Sequence, residues 1–264
     1  MKNTTRMCLI LFFTVVLIFS LWRLWGIFSA YREGKDHYHA LEQYITVSEN
    51  KDDTQAAASP AEEAVDLSAW PQVDFAELSE INPDIVGWIY IEGTSINYPI
   101  VQGENNREYL SRLFDGTYNA SGCIFLDSRS ASDFSDCHSI IYGHHMKDKS
   151  MFGGLMQYKK QEFYDEHSVA LLVTPDAYYK IQFFSGYVSD NWGNAWDLVY
   201  EKDEYSSWLS DIQQRSCFKS SCVPSSTERV ISLSTCTYEF NAAKFVLHGY
   251  ISEVIKKPAV ADGN

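Results

Sequence analysis

The chain has 264 residues, 45% hydrophobic and 15% aromatic, with a formal net charge of −14. That is room for a membrane segment plus one domain with a self-sufficient core. The acidity excludes a nucleic-acid partner, because no basic stripe is present to neutralise phosphates, and it disfavours spreading over anionic lipid. Residues 1–6 form a short tail carrying Lys2 and Arg6, and residues 7–22 contain no charge. Arg23 interrupts the apolar run and residues 24–28 continue it. A helix needs about 17–20 residues to cross the hydrocarbon. Residues 7–28 are therefore expected to span, with Arg23 snorkelling beside Trp22 and Trp25 as belt residues. No small-x-small cleavage site follows, which favours an uncleaved signal anchor. Arg32 and Lys35 after the segment nearly balance Lys2 and Arg6 before it. The single segment and the acidic bulk beyond it place the amino terminus in the cytoplasm and the rest outside the cell.

Residues 29–66 are expected to hold a juxtamembrane helix and then a flexible linker, since 49–63 lacks large apolar side chains. The folded domain is assigned to 67–257 and a polar tail to 258–264. Within the domain, residues 74–82 read as a short helix stopped by Asn82-Pro83. Residues 85–91 and 96–101 form a hairpin about a turn at 92–94. Further strands are expected at 123–126, 139–142, 169–173 and 178–188, with Pro175-Asp176 as a turn before the last of these. Tyr205, Trp208, Leu209 and Ile212 recur at helical spacing, so one amphipathic helix covers about 203–215. Strands at 230–235 and 244–255 close the domain. Many short strands with few helices indicate a barrel or a sandwich.

Six cysteines are present: Cys8, Cys123, Cys137, Cys217, Cys222 and Cys236. Outside the cell disulfides are permitted, and Cys123 with Cys137 and Cys217 with Cys222 are the pairs the spacing allows. Both pairings, and the reduced state, stay open at this level. If both form, Cys236 is the thiol left over.

Cys236 ends the segment Ile231-Ser-Leu-Ser-Thr-Cys236. Strand alternation puts Ile231 and Leu233 on one face and Ser232, Ser234 and Cys236 on the other. The next strand opens with Lys244, on the face opposite Phe245 and Leu247. An antiparallel hairpin brings that lysine beside the cysteine. A nearby cation favours the thiolate and stabilises negative charge on an acyl intermediate. On pattern alone, a buried structural thiol and a surface lysine fit as well. The segment Ile140-Ile-Tyr-Gly-His144-His145-Met146 ends another strand in an imidazole, which a catalytic cysteine needs for proton exchange. Adjacent histidines point to opposite faces, so at most one enters a site, and neither a metal nor another cofactor is expected. His37, His39, His138, His167 and His248 read as surface or packing residues.

Those two segments resemble motifs of the class B sortases. So do Ile81-Asn-Pro-Asp-Ile-Val-Gly-Trp-Ile-Tyr-Ile91, Ile96-Asn-Tyr-Pro-Ile-Val-Gln-Gly103, Ile124-Phe-Leu-Asp127 and Tyr238-Glu-Phe240. The similarity runs from about residue 70 to 255. It implies a mainly β fold, the eight-stranded sortase barrel with class B helical additions, behind a single transmembrane helix. It further implies that Cys236 attacks the threonine carbonyl of an Asn-Pro-x-Thr signal near the carboxyl terminus of a secreted protein. His144 then protonates the leaving amine, and an amine of a peptidoglycan precursor resolves the acyl-enzyme. Ser234, with Thr235 and Tyr142, is a candidate for contacting the substrate. The family carries arginine where this chain has Lys244, so the charge is kept and the planar two-pronged donor is lost.

Two variants of this reading compete with it. One is a catalytically impaired sortase-like domain that binds sorting signals or wall peptides; Lys244 is its support. The other is a pilin-polymerising sortase, against which the polar 256–264 segment argues, because it holds no second membrane helix. A papain-like thiol hydrolase is disfavoured, since there the cysteine precedes the histidine and opens a helix.

Overall fold

A computed structural model describes residues 2–47, 70–190, 193–198 and 202–257. The linker assigned to 49–63 and the tail at 258–264 lie outside the described residues. The first element, α1 (Lys2–Leu41), is a single continuous helix whose apolar side chains from Met7 to Phe28 are exposed. Among the described residues it is the one helix long and apolar enough to cross a membrane. The expected juxtamembrane helix is its direct continuation. Tyr31, Gly34, Tyr38 and Leu41, three or four residues apart, form a stripe that turns onto the domain. Gly34 is needed there, because a Cβ would stand 2.6 Å from the Ser121 hydroxyl.

A short ribbon follows, β1 (Ile45–Thr46) against β2 (Gln72–Val73). Then comes α2 (Phe75–Ile81), capped by Asp74, whose carboxylate accepts from the Glu77 amide at 3.0 Å. The remaining strands are β3 (Ile85–Tyr90), β4 (Asn97–Val101), β5 (Ile124–Leu126), β6 (His138–Tyr142), β7 (Val169–Val173), β8 (Ala177–Ser189), β9 (Val230–Cys236) and β10 (Lys244–Lys256). They close into one eight-stranded barrel in the order β10-β8-β7-β3-β4-β5-β6-β9. All neighbours are antiparallel except β4 with β5 and β6 with β9. Two further helices are α3 (Gln161–Glu166) and α4 (Lys202–Gln214).

The barrel interior is filled by Ile89, Ile100, Leu172, Phe183, Ile231, Leu233, Phe245 and Leu247, all with zero exposure. Alternation sends the intervening residues outward, and on the side of β8, β9 and β10 they are covered by α4. Tyr205, Trp208, Leu209 and Ile212 of α4 pack on Phe184, Tyr187, Val230 and Val246. Burying each such side chain contributes about 1.5–3 kcal/mol. The outward face of β9, expected to be polar, is roofed over behind the lip at Cys236: Ser232 and Ser234 are buried.

No disulfide joins the described cysteines. Cys123 precedes β5 and Cys137 precedes β6. Because these strands run antiparallel with Phe125 opposite Tyr142, Cys123 falls beside position 144, seven residues and roughly 23 Å along the strand from Cys137. That is well beyond the ~7 Å Cα separation a disulfide tolerates. Cys217 turns instead to the Tyr158 carbonyl at 3.7 Å, while Cys222 packs on the α4 cluster.

Candidate active site

The parallel pairing of β6 with β9 positions the site. Its register sets Tyr142 opposite Ser234, and the Gly143 amide donates to the Ser234 carbonyl at 3.0 Å. Two residues further along both chains, His144 and Cys236 leave the sheet at the same rim. Antiparallel β10 starts there too, with Lys244 directly opposite Cys236. The three residues singled out for chemistry thus meet around one cleft of about 330 Å³, lined also by Tyr142, Ser234 and Thr235. That is the size range of a small-ligand or short-peptide site.

Gly143 lets the chain turn here. A Cβ on it would fall 2.5 Å from Ile124 Cδ1 and 2.6 Å from the Phe152 ring. The two histidines then diverge, as strand alternation requires. His144 lines the cleft, and its Nε2–H donates to the Leu110 carbonyl at 2.7 Å. That bond fixes the tautomer and leaves Nδ1 as the nitrogen without a partner among the described residues. His145 turns away and donates from Nδ1 to the backbone carbonyl of Cys236 at 2.9 Å, with its ring 5.3 Å from that of Tyr238. It pins the end of β9. The Lys159–Glu239 ion pair holds the loop beyond.

Cys236 is exposed, whereas Cys123 is buried with its thiol pushed up to about 12 by burial, so it stays protonated. Ser234 and Thr235 present buried hydroxyls with no hydrogen-bond partner among the described residues. Unpaired buried hydroxyls cost free energy and suit a ligand that supplies the missing partner. Tyr142 is held by a donated bond from its hydroxyl to Asp127 at 3.0 Å. Burial alone would raise the Asp127 carboxyl, but the two-pronged bond from Arg129 holds it below the usual carboxylate range.

Three cleft residues were not legible in the sequence. Asn106 and Leu110 carry no signal of their own. Trp196 arrives on a loop far from every motif; its ring stacks on Tyr142 at 6.3 Å, and the Lys244 ammonium lies over it at 5.7 Å. Trp196 in turn is fixed by a bond from its Nε1–H to the Asp190 carbonyl.

Behind this wall lies a buried polar chain that the sequence reading left as packing. His138 Nδ1–H donates to the Asp197 carbonyl at 2.6 Å. Its Nε2 meets Ser232 Oγ at 2.7 Å, and Ser232 meets His248 Nδ1 at 2.6 Å. Serine has one proton, so the order runs His248 to Ser232 to His138, leaving His248 Nε2 as an acceptor without a donor. Burial lowers His138 to about 4 and His248 well below its ordinary range. Both are neutral at neutral pH. A histidine whose folded pKa is depressed stabilises fully above its unfolded value of 6.5 and loses that contribution as pH falls toward about 4. For His138 the loss is on the order of 3 kcal/mol. Urea unfolding should show the midpoint dropping over that window, and a flat profile would mean the imidazoles are hydrated.

No family model matches the chain. Individual proteins do. It is 36% identical to Staphylococcus aureus sortase B over 163 residues, 61% of this chain and 67% of that protein. It is 28% identical to Listeria monocytogenes sortase B over 231 residues, 84% and 90% of the two chains. Among solved structures, the S. aureus sortase B–substrate complex superposes with a TM-score of 0.64 at 32% identity, covering 69% of this chain and 84% of that one. Bacillus anthracis sortase B gives 0.71 at 28% identity, covering 88% and 100%. With its barrel, its cleft and these relatives, the chain belongs to the sortase B family of cysteine transpeptidases.

Proposed function

We propose that this transpeptidase cleaves a carboxyl-terminal sorting signal of Asn-Pro-x-Thr type after threonine and transfers the protein to an amine of a peptidoglycan precursor. The observation that carries the reading is the meeting of Cys236, His144 and Lys244 at one barrel rim, around a cleft with unpaired hydroxyls. The Cys236 thiolate adds to the threonine carbonyl, and the Lys244 ammonium faces the oxyanion. Protonated His144 gives its Nδ1 proton to the leaving amine as the C–N bond breaks and the thioester forms. The incoming amine loses a proton to the same nitrogen as it attacks the thioester and frees the thiolate. Each step closes in protons and needs no cofactor. The S. aureus relative has been solved with a substrate bound, which supports a peptide in the corresponding cleft here. Residues 7–28 anchor the enzyme with its amino terminus in the cytoplasm, and residues 67–257 work outside the cell.

Incubating the full chain with an Asn-Pro-x-Thr peptide and weighing the intact protein tests this. An acyl adduct mapped to Cys236, sensitive to hydroxylamine and discharged by an added amine, is the expected result. An unmodified protein with uncut peptide, or an adduct on another cysteine, would overturn the reading.

A further inference from the structure

Outside α1, the most exposed large apolar side chain among the described residues is Tyr118, at 80%. It stands at the closing bridge of a tight loop between Arg112 and Ser121, paired with Arg112, the loop being held also by the Leu113 amide on the Thr117 carbonyl at 2.8 Å. A lone exposed aromatic is ordinary. This one is not alone, because the loop is bolted to α1. Asn119 Nδ2 donates to the Ala30 carbonyl at 2.9 Å, Ser121 packs on Gly34, and His37 lies 3.7 Å from Asp115. These ties fix the height of the loop along the helix. Tyr118 and Ala120 accordingly line one groove with Trp22, Trp25 and Ile27.

We propose that this loop is a second membrane contact, with Tyr118 seated in the interfacial layer of the leaflet on the catalytic side. The inference rests on reading α1 as a membrane span. From Trp25 to Ala30 is about 7.5 Å of helix, and the headgroup region beyond the hydrocarbon is about 5–7.5 Å deep on each side. With Trp22, Arg23 and Trp25 at the hydrocarbon boundary, the groove they share with Tyr118 falls in that layer. Tyrosine and tryptophan are the side chains that settle there, apolar ring inward and polar tip in water. The occupant is the headgroup and ester region of a bilayer, recognised by aromatic burial. The acidic residues Glu33 and Asp115 beside the loop argue against recognition of anionic charge.

The loop also reaches the cleft. Its entering stem carries the Leu110 carbonyl that accepts from His144, and its leaving stem carries Gly122, whose absent Cβ would stand 2.9 Å from the His144 ring. Tyr38 of α1 donates to the Gly122 carbonyl at 2.5 Å. A seated loop therefore holds the cleft next to the bilayer surface, where membrane-borne substrates are presented.

The test places p-benzoylphenylalanine singly at positions 118, 28 and 223 of the full chain in phosphatidylcholine nanodiscs, irradiates, and reads lipid adducts by mass. Val223, exposed on the segment that enters β9 from the opposite rim, is the control. Adducts are expected at 28 and 118 in similar yield and only background at 223. Labelling at 28 without labelling at 118 overturns the second contact and leaves the anchor standing. Labelling at neither overturns the anchor and the contact together, and equal labelling at 118 and 223 overturns the contact as a specific seat.

Discussion

Replacing His144 with glutamine is expected to slow cleavage of an Asn-Pro-x-Thr peptide by about 10²–10⁴-fold, the range a positioned general acid-base contributes. Glutamine keeps a donor that can reach the Leu110 carbonyl, so the bond at 2.7 Å has a replacement. What disappears is Nδ1, the nitrogen without another partner. The effect should fall on kcat with KM nearly unchanged, and thermal unfolding should move little. His145→Gln is the matched control. That imidazole holds the backbone carbonyl of Cys236 and lies 5.3 Å from the Tyr238 ring, so its loss costs about 1 kcal/mol of local hydrogen bonding and at most a few-fold in rate. Equal losses in the two variants would remove the distinction between them. A larger loss in His145→Gln would reverse the assignment.

That distinction could be read from the sequence only in outline. Alternation says that neighbouring histidines diverge, but which one enters depends on the parallel pairing of β6 with β9. Parallel neighbours are joined by a long crossover, here residues 143–229, and nothing local in either strand announces the partner. The hairpin of β9 with β10 was legible because its turn is short, and it set Lys244 opposite Cys236 as the alternation implied. Trp196 was not legible, because its place depends on the loop after β8 returning over Tyr142. The same gap hid the chain of His138, Ser232 and His248: each lies on an outward strand face that becomes interior only once α4 packs on it. The stripe of Tyr31, Gly34, Tyr38 and Leu41 was readable at helical spacing, yet the mixed polar residues between them masked it.

Lys244 carries the second large prediction. Its Cα is paired with that of Cys236, its ammonium lies 5.7 Å from the Trp196 ring centre, and no carboxylate is within ion-pair distance among the described residues. The charge is thus held at the nucleophile by a neutral aromatic and stays free to meet an oxyanion. Lys244→Met keeps the stem on Trp196 and removes the charge. Loss of one such donor costs about 2.7–4 kcal/mol in the transition state, a drop of roughly 10²–10³ in kcat. Lys244→Arg should act in the other direction. A guanidinium stacks on tryptophan more readily than an ammonium and offers two parallel donors to a carbonyl oxygen or peptide backbone. Its reach is similar. Single-turnover acylation of the wild type and both variants, under identical conditions, separates the outcomes. Arginine faster than lysine, and lysine far faster than methionine, fits a cation facing the developing negative charge. Were arginine no faster than lysine, the oxyanion role at this position would be wrong. Methionine matching lysine would mean that the cation is a packing partner of Trp196, with the rate carried by Cys236 and His144 alone.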